Sequence, residues 1–201
     1  MKEEYVFWFL AKHFVKEENY RIFHFSKEQN ELWLENPDNK QAPILRLLNC
    51  ELDWSSWIER DIQLTEFNGE KIRKQQYRKK VEIINLYISP YPPVDDYEYR
   101  ISQHPVHSHI KVQSIILAGA IFKEELSKLQ SNFKKDINVA FINDDHLYNE
   151  SIEQMKKDTF HISTLRVKKE QAIFNYGKPL FTYLFIAFQV IVFILLELNG
   201  G

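Results

Sequence analysis

Residues 180–196 read LFTYLFIAFQVIVFILL, seventeen positions without a charge, a glycine or a proline, and Glu197 is the first interruption before Leu198. At about 1.5 Å of rise per residue, a helix through residue 198 measures roughly 28 Å, close to the hydrocarbon thickness of a bilayer. The stretch lies at the wrong end of the chain for a signal peptide, so it reads as a transmembrane helix. Arg166, Lys168, Lys169 and Lys178 precede it, while Glu197 is the only charge after it. The preference for positive charge on the inner side then places residues 1–178 in the cytoplasm and the chain in the cell membrane.

The residues before this run have a different composition, rich in Lys, Glu, Asn and Gln with short aromatic and aliphatic clusters, and they are numerous enough to bury one core. Lys and Arg number 26 against 28 Asp and Glu, for a net charge of −2, so no general basic field calls for a nucleic acid partner. Cys50 is the only cysteine and has no internal disulfide partner, which suits a reducing compartment. It reads as a small apolar side chain at a strand end.

Hydrophobic periodicity orders the elements. Tyr5, Phe7, Trp8, Leu10, Ala11, Phe14 and Val15 recur at three- and four-residue steps, predicting an amphipathic helix that packs on a sheet. Residues 20–26 and 31–35 predict a hairpin around Lys27 to Asn30, and residues 44–48 a third strand. A charged helix follows from residue 53 to about 78, with Asn68-Gly69 as a candidate break and Trp54 and Trp57 as core anchors. The run VEIINLYIS at 81–89 predicts a buried strand ended by prolines. Residues 110–122 and 137–142 predict two more strands around a short helix, and a long helix is expected over 147–172. This order predicts a mixed α/β sandwich, its sheet covered by helices, followed by the transmembrane helix. The expected divisions are a cytosolic α/β domain at 1–143, a juxtamembrane helix and linker at 144–178, and the membrane span at 179–198.

Two groups of side chains have the chemistry of metal ligands. Glu51, Asp53 and Asp61 lie across the start of the charged helix, and such oxygen-rich sets suit hard cations such as Mg²⁺ or Mn²⁺. The alternative is a helix cap at Asp53 and a solvated Asp61. In the run HPVHSH, His107 and His109 would share one side of a strand and His104 could approach from the turn before it, a geometry usable by Zn²⁺ or Mn²⁺. Its alternative is a loop that is merely rich in histidine. Asp95-Asp96 after Pro92-Pro93 reads as a turn and helix cap.

The run NYGKPLFTYLFIA at 175–187, continuing through Gln189 to Asn199-Gly200-Gly201, resembles the first transmembrane segment of rhomboid intramembrane serine proteases of Gram-positive bacteria. Glu31-Leu32-Trp33-Leu34-Glu35, Leu52-Asp53, Arg60-Asp61 and Pro93-Val94-Asp95-Asp96 extend the resemblance to the Bacillus-type subgroup, which carries a cytosolic domain before its membrane part. The resemblance implies further transmembrane helices, a serine nucleophile in Gly-x-Ser-Gly and a histidine base on later helices, and transmembrane proteins as substrates. No serine of this sequence lies in that motif, so no catalytic residue is carried over and no cofactor is required for catalysis. The subgroup's head domain is associated with divalent-cation sensing and quality control of membrane transport proteins, with acidic residues at the positions of Glu51, Asp53 and Asp61. The expectation is a regulatory head and first anchor, partnered by the bilayer, the remaining helices and the substrates. A tail-anchored adaptor that catalyses nothing is the alternative.

Overall fold

The computed structural model describes residues 3–102, 109–140, 145–176, 183–186, 188–190 and 193. Two compact units divide the chain, Met1–Thr164 and Leu165–Gly201. The first is built on a five-stranded sheet whose strands β1 (Arg21–Phe25), β2 (Glu31–Glu35), β3 (Ile44–Asn49), β4 (Val81–Ser89) and β5 (Ile110–Ala118) lie side by side in chain order. β1, β2 and β3 run antiparallel to one another, whereas β3–β4 and β4–β5 are parallel. A parallel pair needs a crossover, and helix formers fill the first one. Helix α2 (Ser55–Gln75) joins β3 to β4, and a proline-rich segment with the short helix α3 (Glu98–Ser102) joins β4 to β5.

Helices cover both faces, which explains why β3 and β4 read as almost unbroken apolar runs. Helix α1 (Glu3–Lys16) packs on one face through Val6, Phe7, Leu10 and Phe14, as its periodicity predicts. Helix α4 (Phe122–Gln130) and the first part of helix α5 (Asp145–Tyr176) join that core through Phe122, Leu129, Ile152 and Met155. On the opposite face Ile58 and Ile62 of α2 meet Ile44, Ile83, Tyr87, Val112 and Ile116. The edge strand β1 carries a register shift between Ile22 and His24, a usual means of blunting an edge. Its Ile22 amide donates to Ser163 Oγ of α5 at 2.9 Å.

Four features differ from the sequence reading. The expected break at Asn68-Gly69 does not occur: α2 runs on through Gly69, which is buried directly against the sheet. A β-carbon there would sit 2.7 Å from Ile83 Cδ1 and 2.9 Å from Ile110 Cγ2. Gly69→Val should therefore lower stability by about 1–3 kcal/mol in urea unfolding, since overpacking outweighs the helix propensity gained. Residues 137–140 form no strand, and 141–142 lie outside the described residues. The strand begun at Ile110 ends at Ala118, where Gly119, with φ of 34°, opens a 3-10 turn. Trp54 is no core anchor. It is 60% exposed just before α2, whereas Trp57 packs partly against the α2-side core.

His13, on the inner side of α1, is buried and its Nε2 has no hydrogen-bond partner. Burial lowers its pKa, opposed more weakly by Glu18 and Glu17. The unfolded chain then binds this proton more readily than the fold does. This group's contribution is full above the ordinary histidine range and is lost as pH falls below it. The urea midpoint should drop between pH 7.5 and 5.5, and the drop should be smaller in His13→Phe.

The second unit contains the remainder of α5 and described helical stretches at 183–186, 188–190 and 193. Among the described residues no helix is long and apolar enough to cross a membrane, and the span expected over 179–198 lies largely outside them.

Candidate functional site

The chemically distinctive place in the first unit is a charged cluster buried between α2 and the sheet. Its origin is visible in the register: Trp33 of β2, Arg46 of β3, Asn85 of β4 and Ser114 of β5 lie opposite one another, forming a row across four strands. Apolar neighbours of the α2-side core flank this row, so every polar group in it needs an internal partner.

Arg46, only 4% exposed, provides most of them. Its Nη1 and Nη2 donate to Asp61 Oδ2 at 2.5 Å and Oδ1 at 3.0 Å, a bidentate pair. Nη1 also donates to Thr65 Oγ1 at 2.9 Å, and Nε donates to Glu31 Oε1 at 2.6 Å. Tyr87 OH donates to Asp61 Oδ2 at 2.7 Å, and Asn85 Nδ2 donates to Thr65 Oγ1 at 3.1 Å and to Tyr87 OH at 3.2 Å. Trp33 Nε1 donates to Glu31 Oε1 at 2.7 Å, and the Arg46 guanidinium lies 5.5 Å from the Trp33 ring centroid.

The electrostatics follow from this geometry. Burial opposes the charge on Arg46, but hydrogen bonding and the negative charges of Asp61 and Glu31 raise its pKa. Burial and the adjacent Asp61 charge raise that of Tyr87, which keeps its proton. Burial, reinforced by Asp61, pushes the Cys50 thiol up to about 12, so it is no nucleophile at neutral pH. Asn85 Oδ1 and Ser114 Oγ, on residues facing each other in the register, are buried without partners. Every strong donor and acceptor around Asp61 is turned inward. The arrangement clamps α2 to β2, β3 and β4, and both oxygens of the Asp61 carboxylate are taken up by Arg46 and Tyr87.

Among the described residues, those expected to bind metal are not assembled into one site. Glu51 and Asp53 are exposed in the segment before α2, where Tyr91 OH approaches Asp53 Oδ1 at 3.5 Å. Asp61 is 8% exposed and faces the sheet, because the same helical turn that carries it inward also buries Ile58 and Ile62. His109 is exposed, and His104 and His107 lie outside the described residues. Among the described residues no three His, Cys, Asp or Glu side chains form a metal ligand set. Asp95 does cap a helix, but the helix is α2. Its two carboxylate oxygens accept from the Ser55 amide and hydroxyl at 2.7 Å each, and those bonds hold its pKa low.

Sequence reasoning missed Arg46, Asn85 and Tyr87. The available signal was a charged residue inside ILRLLN and an amide inside VEIINLYIS, polar groups at positions where only an internal partner makes burial tolerable.

No protein-family profile matches this chain. The chain is 32% identical over 202 aligned positions to the rhomboid protease GluP of Bacillus subtilis (strain 168), an alignment covering 98% of this chain and 38% of that relative. It therefore spans well under half of the relative's length. The resemblance to the Bacillus-type rhomboid proteases holds along almost the whole chain, which corresponds to a domain of a rhomboid protein.

Proposed function

We propose that this chain is the regulatory head and first membrane anchor of a rhomboid intramembrane serine protease, with the head in the cytoplasm and transmembrane proteins as substrates. The observation that carries this reading is the alignment over 98% of the chain, which takes in both the α/β unit and the apolar run. Residues 179–198 form the anchor in this reading, and residues 1–143 the head. The serine and histidine that break the peptide bond belong to other segments, since a water-using dyad in hydrocarbon needs a helix bundle around it. A regulatory divalent cation (Mn²⁺, Mg²⁺ or Zn²⁺) would engage the exposed Glu51 and Asp53, not Asp61, whose oxygens are held by Arg46 and Tyr87. Alkaline extraction of membranes from cells expressing the chain tests the anchoring. Retention in the pellet, with the head digested by protease added from the cytoplasmic side, is the expected result. Release into the supernatant would refute it.

A further inference from the structure

The chain's net charge is −2, yet residues 70–82 concentrate six basic residues, Lys71, Arg73, Lys74, Arg78, Lys79 and Lys80, against two acidic ones, Glu70 and Glu82. Each acid already has a partner. Glu70 binds Arg73 at 2.6 Å and Lys74 at 3.7 Å, and Glu82 lies 3.8 Å from Lys111. Lys71, Lys74, Lys79 and Lys80 are exposed, so this end of the first unit is a local cationic surface.

Apolar side chains share that surface. Leu64, Phe67, Lys71 and Lys74 follow one another at three- and four-residue steps, forming an outward stripe of α2 opposite its buried face. Leu64 is 52% and Phe67 60% exposed, and Lys71 Nζ lies 4.2 Å from the Phe67 ring centroid. At the end of the stripe stands Tyr77, 95% exposed with φ of 53°. Glycine is the usual residue for this left-handed position after a helix, because a β-carbon strains it. The turn is nonetheless well defined. Arg78 N donates to Arg73 O at 3.0 Å, Tyr77 N to Lys74 O at 3.3 Å, and Arg73 Nη1 to Arg78 O at 3.2 Å. A strained backbone thus holds an aromatic ring in water, where it gains no packing within the fold.

From this combination we infer that the outward stripe of α2 and the turn at Tyr77 form a docking surface for an anionic phospholipid bilayer. Clustered Lys and Arg attract the negative leaflet, a tyrosine settles at the headgroup level, and Leu64 and Phe67 add apolar contact. The chain itself carries an uncharged seventeen-residue run, so a bilayer is the polyanionic surface its own composition calls for. Glu59 and Glu66 on the same helix leave its remaining length without the continuous positive field that a nucleic acid backbone requires. The inference needs a bilayer but does not depend on the protease assignment.

The test uses the full chain with Cys50→Ser and Gln75→Cys, labelled at position 75 with a polarity-sensitive fluorophore and mixed with phosphatidylcholine vesicles with or without phosphatidylserine. The expected result is a blue shift in the anionic vesicles only, reversed by high salt. Replacing Lys74, Arg78, Lys79 and Lys80 by Gln should remove it, with about five-fold weaker partitioning for each basic residue lost. An unchanged melting temperature would establish that the variant is folded, and Tyr77→Ser should reduce the shift without abolishing it. Because the same chain meets both lipid compositions, the comparison reads this surface whatever residues 180–196 do. Equal emission in the two vesicle types overturns the proposal, as does a shift produced by single-stranded RNA and absent with phosphatidylserine.

Discussion

Arg46→Met should destabilise the first unit by about 3–5 kcal/mol, the largest loss expected from any single side chain, because it leaves Asp61 charged, buried and without its bidentate partner. Tyr87 OH still donates to the Asp61 carboxylate, whereas the Thr65 hydroxyl donates to the Asp61 backbone carbonyl, and one neutral hydroxyl does not compensate a carboxylate taken out of water. For a chain of this size the loss corresponds to a fall of roughly 6–20 °C in melting temperature. Arg46→Lys should fall between the two, since an ammonium cannot reproduce the two parallel bonds to Asp61 and the third to Glu31. The double variant Arg46→Met with Asp61→Leu should recover most of the loss. That recovery identifies the isolated charge, rather than the missing volume, as the cause. If the double variant were no more stable than Arg46→Met, the ion pair would not be the clamp described here.

The second large effect concerns the apolar run. Thirteen of the seventeen residues at 180–196 are Leu, Ile, Phe or Val, and at the membrane centre each favours insertion by about 0.3–0.6 kcal/mol. Their sum, about 4–8 kcal/mol, is of the same size as the penalty for two arginines placed there, about 5–7 kcal/mol at about 2.5–3.5 kcal/mol each. Phe188→Arg together with Val190→Arg therefore reverses the sign of insertion. The variant should move from the alkali-resistant membrane pellet to the soluble or aggregated fraction, whereas Phe188→Leu with Val190→Leu should stay in the pellet. Retention of the double arginine variant would mean that some other part of the chain holds it to the membrane.

The elements set by local pattern were legible in the sequence. β2 and β4 run over 31–35 and 81–89 as their alternation and β-branched content predict, and α1 packs on the sheet with the face its periodicity marks. Elements set by distant partners were less so. Gly69 looked like a break because helix propensity is local, while its reason lies across the chain in Ile83 and Ile110. Trp54 looked like a core residue by type, but α2 begins with its inward face at Ser55, Ile58 and Ile62, leaving Trp54 outside. The same distinction governs the site. Asp61 was read as a metal ligand or a solvated residue and is instead buried against Arg46, since an acidic spacing does not record which way a side chain points. Its partner Arg46 lies fifteen residues earlier on a strand that only the fold brings under α2. Asp95 was legible as a cap, but not the helix it caps, forty residues earlier.

The central claim is that this chain serves as the head and first anchor of a rhomboid protease. A chimera tests it most directly: the stretch of Bacillus subtilis GluP that aligns with this chain is replaced by the chain, and cleavage of a transmembrane substrate is measured in membranes. The account predicts that the chimera cleaves at a rate within about ten-fold of the parent, the factor that corresponds to a 1.36 kcal/mol change in barrier, and that Phe188→Arg with Val190→Arg abolishes cleavage. A chimera that is made, reaches the membrane at the parent's level and does not cleave would contradict it.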